Sequence, residues 1–295
     1  MSRRPILDDA PAVVDVAQAE VTPGPAPVAS PRGGGRLRET AGSVGLALAG
    51  VAALVLLWQI VASARPHVPS PGATLTELRT LLASPLRNAG PNIGDKGIVV
   101  LLGSSLIRLF SGFALAAAVG IPLGFAVGAI EPVRRATNPI IQVLRPVSPL
   151  AWFPIALAAL SMTPPAAVFT IAITALWPTM INTAFGVGSV PQDHRDVAKV
   201  FRFSRAKYIR RVLVPYSIGS IITGLRLSMG VAWMVLVAVE MLAALPGIGG
   251  FVWDSYNNNN MPAVAAAILF IGVVGFGLDM ILSRIARRFD YSVAR

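Results

Sequence analysis

The chain has no cysteine and only two histidines, His67 and His194, which lie far apart. No disulfide framework, thiolate metal site or cysteine nucleophile is therefore available, and no histidine cluster offers metal ligands. Charge is scarce as well. Asp, Glu, Lys and Arg make up 13% of the 295 residues, while 54% are hydrophobic. A soluble domain has about a quarter of its residues charged, so this composition, with a mean hydropathy of +0.67, points to the bilayer as solvent. No Gly-x-x-x-x-Gly-Lys-[Ser/Thr] loop occurs, so the chain has no phosphate-cradling loop of its own. Nor do paired histidines or carboxylates recur at one depth, as a membrane-embedded enzyme would need.

What is present is apolar length. A helix rising about 1.5 Å per residue needs roughly 20 apolar residues to cross a ~30 Å hydrocarbon layer. Breakers and apolar runs predict six such spans, about Ala41–Ala64, Val99–Ile130, Pro139–Met162, Pro165–Val190, Val212–Leu245 and Pro262–Ile285. The third is dense in proline (Pro146, Pro149, Pro154). Residues 1–40 hold six prolines and Gly33-Gly34-Gly35, a composition that cannot support a packed core and reads as a disordered cytoplasmic tail. The expected fold class is all-α and polytopic, with a transmembrane domain over 41–295.

The net charge of +11 invites a nucleic-acid reading, but its placement argues otherwise. Eighteen of the 25 Lys and Arg fall in the tail, the second loop, the fourth loop and the C-terminus, against four in the first loop. Six spans with both termini in the cytoplasm reproduce this asymmetry without violation. The basic excess is a topology signal, and nucleic acid is not an expected partner. An ion-gradient-driven transporter would show internal repeats and intramembrane acids; the chain has no clear repeat and few acids.

The fourth loop, about 191–212, carries a helical pattern. Asp193 is placed to cap a helix whose first turn holds Asp196 near the positive dipole end. Val197, Val200 and Phe201 recur at i, i+3, i+4 and form a narrow apolar face; Arg195, Lys199 and Arg202 take the others. A second short piece from Arg205 to Val214 is expected to stop at Pro215. Such a helix suits either anionic headgroups or a groove on a soluble partner.

This loop resembles the coupling segment of ABC importer permeases, whose pattern is Glu-Ala-Ala, a Gly further on, then Ile-x-Leu-Pro. Here Asp196-Val197-Ala198, Arg202 and Val212-Leu213-Val214-Pro215 occupy those places. Arg202 departs from the glycine that makes the usual bend. The likeness runs from about Pro69 to Arg288 and is closest to the nitrate, sulfonate, taurine and bicarbonate group. Three stretches, beginning at Arg145, Ala175 and Phe251, resemble the nitrate branch; Ala159-Leu160-Ser161 replaces the Trp-Phe-Gly usual in the sulfonate branch.

The resemblance implies a type I ABC importer permease fold and a non-enzymatic subunit, without catalytic residues, metal or cofactor of its own. ATP and Mg2+ would be bound in a partner ABC ATPase. The other implied partners are a second permease copy, giving a homodimer, and a periplasmic or lipid-anchored binding protein. The implied location is the bacterial inner membrane, and the implied cargo a small inorganic anion, nitrate before bicarbonate, sulfonate or taurine. Candidate ATPase-coupling residues are Asp196, Val197, Ala198, Val200, Phe201, Arg202, Phe203, Ser204 and Pro215. Candidate pathway residues are Arg145, Ser148, Trp152, Trp177 and Arg226. Arg145 precedes the proline series, where irregular backbone can line a cavity. Arg226 lies near mid-membrane, where it could meet an anion or an acid such as Asp279; Arg108 reads as structural. The four-residue spacing of Gly112, Gly120, Gly124 and Gly128, at intervals of four or eight, permits close helix contact. Gly247-Ile248-Gly249-Gly250 reads as an external turn, and Trp253 to Asn260 as a polar outer loop.

Overall fold

A computed structural model describes residues 34–289, and it is helical throughout. The helices are α1 (Gly34–Ala64), α2 (Pro71–Ala83), α3 (Ile98–Ala129), α4 (Glu131–Leu144), α5 (Pro149–Leu160), α6 (Thr163–Gly188), α7 (Gln192–Val200), α8 (Arg205–Tyr208), α9 (Val214–Leu242), α10 (Ile248–Asn257) and α11 (Met261–Phe289). The chain divides at Leu54/Val55, within α1. The described part of the first unit is the opening stretch of α1, residues 34–54. It starts at Gly34, inside the stretch expected to be tail; the rest of that tail lies outside the described residues.

In the second unit, α3, α6, α9 and α11 fall within one to four residues of the predicted spans because long uncharged runs with proline or charge at their ends leave little choice. The α3–α6 seam explains the glycine spacing. A Cβ on Gly112 would lie 2.7 Å from Ile171, and one on Gly124 would lie 2.5 Å from Thr183, so only hydrogen fits between these backbones. On α6, Thr170, Thr174, Thr179 and Thr183 each donate to the carbonyl four residues back, which satisfies their hydroxyls without water. Ser228 of α9 bonds Ala175 O at 2.8 Å and Thr179 at 2.6 Å, fastening α9 to α6. Leu109, Ile171, Met229 and Leu236 fill the core among them. Val273 and Phe276 on α11 stay exposed, as side chains against lipid tails would.

The third predicted span needs correction. Residues 139–162 do not form one crossing helix: α4 and α5 meet at a 100° bend across Arg145–Ser148. Pro146 and Pro149 supply no N–H there, and Ser148 is extended ahead of Pro149 at the start of α5. At 12 residues α5 is about 18 Å long, short of a ~30 Å layer. Among the described residues five helices are long and apolar enough to cross, and the bent pair is either a sixth, broken span or a re-entrant loop.

The connections before α3 and after α9 hold more order than their composition suggested. Ser70 caps α2 by accepting from Ala73 N (3.2 Å), with Pro71 preset for the first turn. The segment read as a turn and polar loop after α9 is instead the start and body of α10, with Trp253 and Tyr256 stacked at 5.7 Å.

Candidate functional site

The α6–α9 connection folds into two short helices, as its pattern predicted, though its start differs. Pro191 precedes α7 and Asp193 makes no cap bond; it sits inside the first turn. Asp196 instead takes Lys199 Nζ at 2.8 Å and Gln192 Nε2 at 3.2 Å. The hydrogen bond from Lys199 is the main reason its carboxyl is held below the ordinary value. Ala198 is the inward-facing residue of α7, while Val197 (52% exposed), Val200 (78%) and Phe201 (68%) present an apolar edge outward. Two of these large apolar side chains lie on a charged nine-residue helix and the third at its C-cap, and all three are left uncovered, as suits either anionic headgroups or a groove on a partner.

Arg202 resolves the departure from the glycine pattern. It adopts the left-handed backbone (φ 44°) that glycine favours. Its N–H bonds Lys199 O (2.9 Å) and the N–H of Phe203 bonds Ala198 O (2.9 Å). These are the two bonds of a Schellman helix end, so the bend is kept with arginine in the strained position. Ser204 then caps α8 through Lys207 N (3.3 Å), and Lys207 Nζ lies 4.2 Å from the centre of the Phe203 ring.

Pro215 does not stop the chain, contrary to expectation. A π turn over Ile209–Leu213 runs from α8 straight into α9, where Pro215 occupies the first turn and its missing donor costs nothing. Two contacts tie α7 to its neighbours: Arg195 Nη2 donates to Gly188 O at the end of α6 (3.2 Å), and the His194 ring lies 6.2 Å from that of Tyr216 on α9.

The charges inside the spans are paired. Arg108 Nη1 lies 2.8 Å from Glu240 Oε1 and also donates to Pro246 O at 2.8 Å. Glu240 is wholly buried and accepts from Ser105 Oγ (2.9 Å) and Gly249 N (3.0 Å), while Ile248 N donates to Ser105 Oγ (2.9 Å). The glycine-rich segment after α9 thus receives a carboxylate of its own chain at the start of α10. Side chains on Gly247 or Gly249 would collide with Glu240. Arg226 grips Asp279 of α11 bidentately along one edge of its fork, Nε to Oδ1 at 2.8 Å and Nη2 to Oδ2 at 2.9 Å.

The predicted pathway residues do not converge on one chamber. Arg145, at the α4–α5 bend, lines a groove with Arg134, Asn138, Ile181, Phe185 and Ser189. Ser148 stands exposed at the head of α5, and Trp152 and Trp177 are half-buried on α5 and α6. Arg226 lines a different pocket, with Thr223, Asp279, Ser283 and Arg287.

Residues 120–291 match the family of binding-protein-dependent transport system inner membrane components. The nitrate import permease protein NrtB of Synechocystis sp. is 42% identical over 79% of this chain and 84% of its own length. The bicarbonate transport system permease protein CmpB of Synechococcus elongatus is 39% identical over 87% of this chain and 93% of its own length. A chain from the inward-facing MetNI methionine ABC transporter superposes with a TM-score of 0.59 at 13% identity, covering 65% of this chain and 95% of that one. At that identity the likeness shows the fold alone.

Proposed function

The chain belongs to the binding-protein-dependent transport inner membrane components, and we propose that it is the permease subunit of an ATP-driven importer for a small inorganic anion, nitrate first and bicarbonate second. It is a multi-pass membrane protein of the ABC permease class. The observation that carries the mechanism is the exposed apolar edge of α7, set between two spanning helices and bonded to both.

In this reading a soluble ATPase receives Val197, Val200 and Phe201 in a groove, on the side where the basic loops and both termini lie. Asp196, Ala198, Arg202, Phe203 and Ser204 hold the shape of that edge, and Pro215 passes its displacement into α9. Closure of the ATPase pair on nucleotide moves α7. Arg195 and His194 carry the motion to α6 and α9, and a cavity between two permease copies opens alternately to either side. A soluble or lipid-anchored binding protein delivers the anion at the opposite face, over α2 and α10. The cargo assignment follows the similarity to NrtB and CmpB. Of the pathway residues, Arg145 is the one whose charge stands exposed in a groove at irregular backbone, with Arg134 and Asn138 beside it. Ser148, Trp152 and Trp177 would shape that route. Arg226, held bidentately by Asp279, serves it as a fixed element of the wall.

The test is ATP-dependent uptake by the complex reconstituted with its ATPase and binding protein. Nitrate accumulation that bicarbonate fails to outcompete supports the reading, and accumulation of neither anion overturns it. Arg145→Gln lowers uptake rate or affinity; unchanged uptake removes Arg145 from the pathway.

A further inference from the structure

The Arg108–Glu240 pair accounts for one edge of the arginine. Both of its hydrogen bonds leave from Nη1. The side chain is 14% exposed, although Glu240 is fully buried, and it lines a groove of about 710 Å³ with Ser104 and Ser111 of α3, Leu160 of α5, and Pro165 and Phe169 of α6. Arg108 stands ten residues after Ile98, the first residue of α3. It donates to Pro246 O just beyond the end of α9, and its groove is walled by Leu160 at the end of α5 and Pro165 at the start of α6, so it lies toward one end of the spanning helices. Ser104, Arg108 and Ser111 fall at i, i+4, i+7 and share one face. A charged guanidinium that opens onto lipid is costly unless it is paired or meets water, and beyond Ser104 and Ser111 the groove wall offers it nothing polar. A water-filled passage removes that cost.

The same flank of the α3–α6 seam leads onward. In steps of four, Ser111, Leu115, Val119, Leu123 and Val127 descend α3, and Phe169, Ile173, Trp177, Ile181 and Phe185 descend α6. Of the second row, Phe169 lines the Arg108 groove and Ile181 and Phe185 line the Arg145 groove, with Trp177 between them.

We propose that Arg108, flanked by Ser104 and Ser111, is a transient site for a small planar oxyanion, at the opposite end of the α6 row from Arg145. The guanidinium presents paired N–H donors in a plane, which match a trigonal oxyanion, and the Ser111 hydroxyl adds a donor, while Ser104 Oγ donates to Val100 O at 3.3 Å. Glu240 holds the fork in place and offsets its charge. An anion therefore meets a donor edge without a full uncompensated cation, as passage rather than trapping requires. This inference rests on the anion-permease reading and names a site within it.

The absence of native cysteine makes the test direct. Ser111→Cys, and Val273→Cys on the exposed face of α11, are introduced singly into the complete complex in membranes. Each is treated with a membrane-impermeant thiosulfonate reagent bearing a sulfonate, or with its trimethylammonium counterpart. The expected result is that S111C reacts with the sulfonate reagent about tenfold faster than V273C and prefers it to the cationic one, as a site focusing positive potential would. Nitrate or bicarbonate slows that reaction. If S111C is no faster than V273C, the groove faces lipid and the proposal is overturned. If it reacts but neither anion slows it, the groove is wet without an anion site, and the proposal is again overturned. Uptake by the unmodified complex judges the cargo separately: a complex that carries neither anion defeats the functional reading even where S111C is reactive.

Discussion

Glu240→Ala is the most informative single change in the membrane core. The substitution removes the partner of Arg108 and the acceptor of Gly249 N, and it takes away one of the hydrogen-bond partners of Ser105. Breaking a buried ion pair from one side costs about 3–5 kcal/mol, because the remaining charge stays buried. Here Arg108 keeps Pro246 O and is partly exposed, which places the cost at the lower end, about 3 kcal/mol. For a domain of this size each kcal/mol moves the melting temperature by about 2–4 °C, so purified E240A should melt roughly 6–12 °C below the parent. Replacing both partners, as in R108L/E240L, should recover part of the loss, since two apolar groups leave no unpaired charge. The assay is the loss of monodisperse protein against temperature in detergent. An E240A protein melting within about 2 °C of the parent, or a double variant worse than the single, contradicts the reasoning.

Three further outcomes follow from the geometry. Arg202→Gly relieves a left-handed residue and stabilises the α7 bend by about 1 kcal/mol; a lower melting temperature in R202G than in the parent refutes the assignment. Gly124→Ala and Gly103→Ala are the same substitution with opposite signs: the first pushes a Cβ to 2.5 Å from Thr183, the second meets nothing within 4 Å. G124A should lose about 1–3 kcal/mol and G103A gain about 0.5–1 kcal/mol, read as melting shifts, and equal shifts defeat the seam. Because its folded pKa lies below the ordinary 3.8, the Asp196 contribution to α7 is present above 3.8 and lost only as pH falls through the lowered value. ATPase binding should therefore show no Asp196-dependent midpoint at or above 3.8; one that vanishes in D196N argues against the Lys199 pairing.

The spanning helices were legible because uncharged runs of α3, α6, α9 and α11 length have one physical solution in lipid. The exposed α7 edge was legible for a similar reason, since Val197, Val200 and Phe201 repeat with helical period among charges. Other features were not. The proline density of 139–162 signalled irregularity, but not that the helix would turn through 100°. Arg202 taking a glycine conformation runs against its steric preference, so only the hydrogen bonds of Phe203 and Arg202 reveal it. Arg108 and Glu240 are separated by 132 positions and meet only once α3 packs on α9. The hint was present in Gly247-Ile248-Gly249-Gly250, whose missing side chains make room for the carboxylate rather than for a phosphate.

The central claim, that α7 is the surface through which a separate ATPase drives this permease, is tested most directly with Phe201→Asp in the complete complex. Phe201 is 68% exposed and lies outside the helix-end bonds of Phe203 and Arg202 except through its backbone, so the variant should insert and fold as the parent does. The expected result is membrane-inserted permease that no longer brings the ATPase with it on purification and takes up no anion. Undiminished co-purification together with normal uptake would contradict the claim.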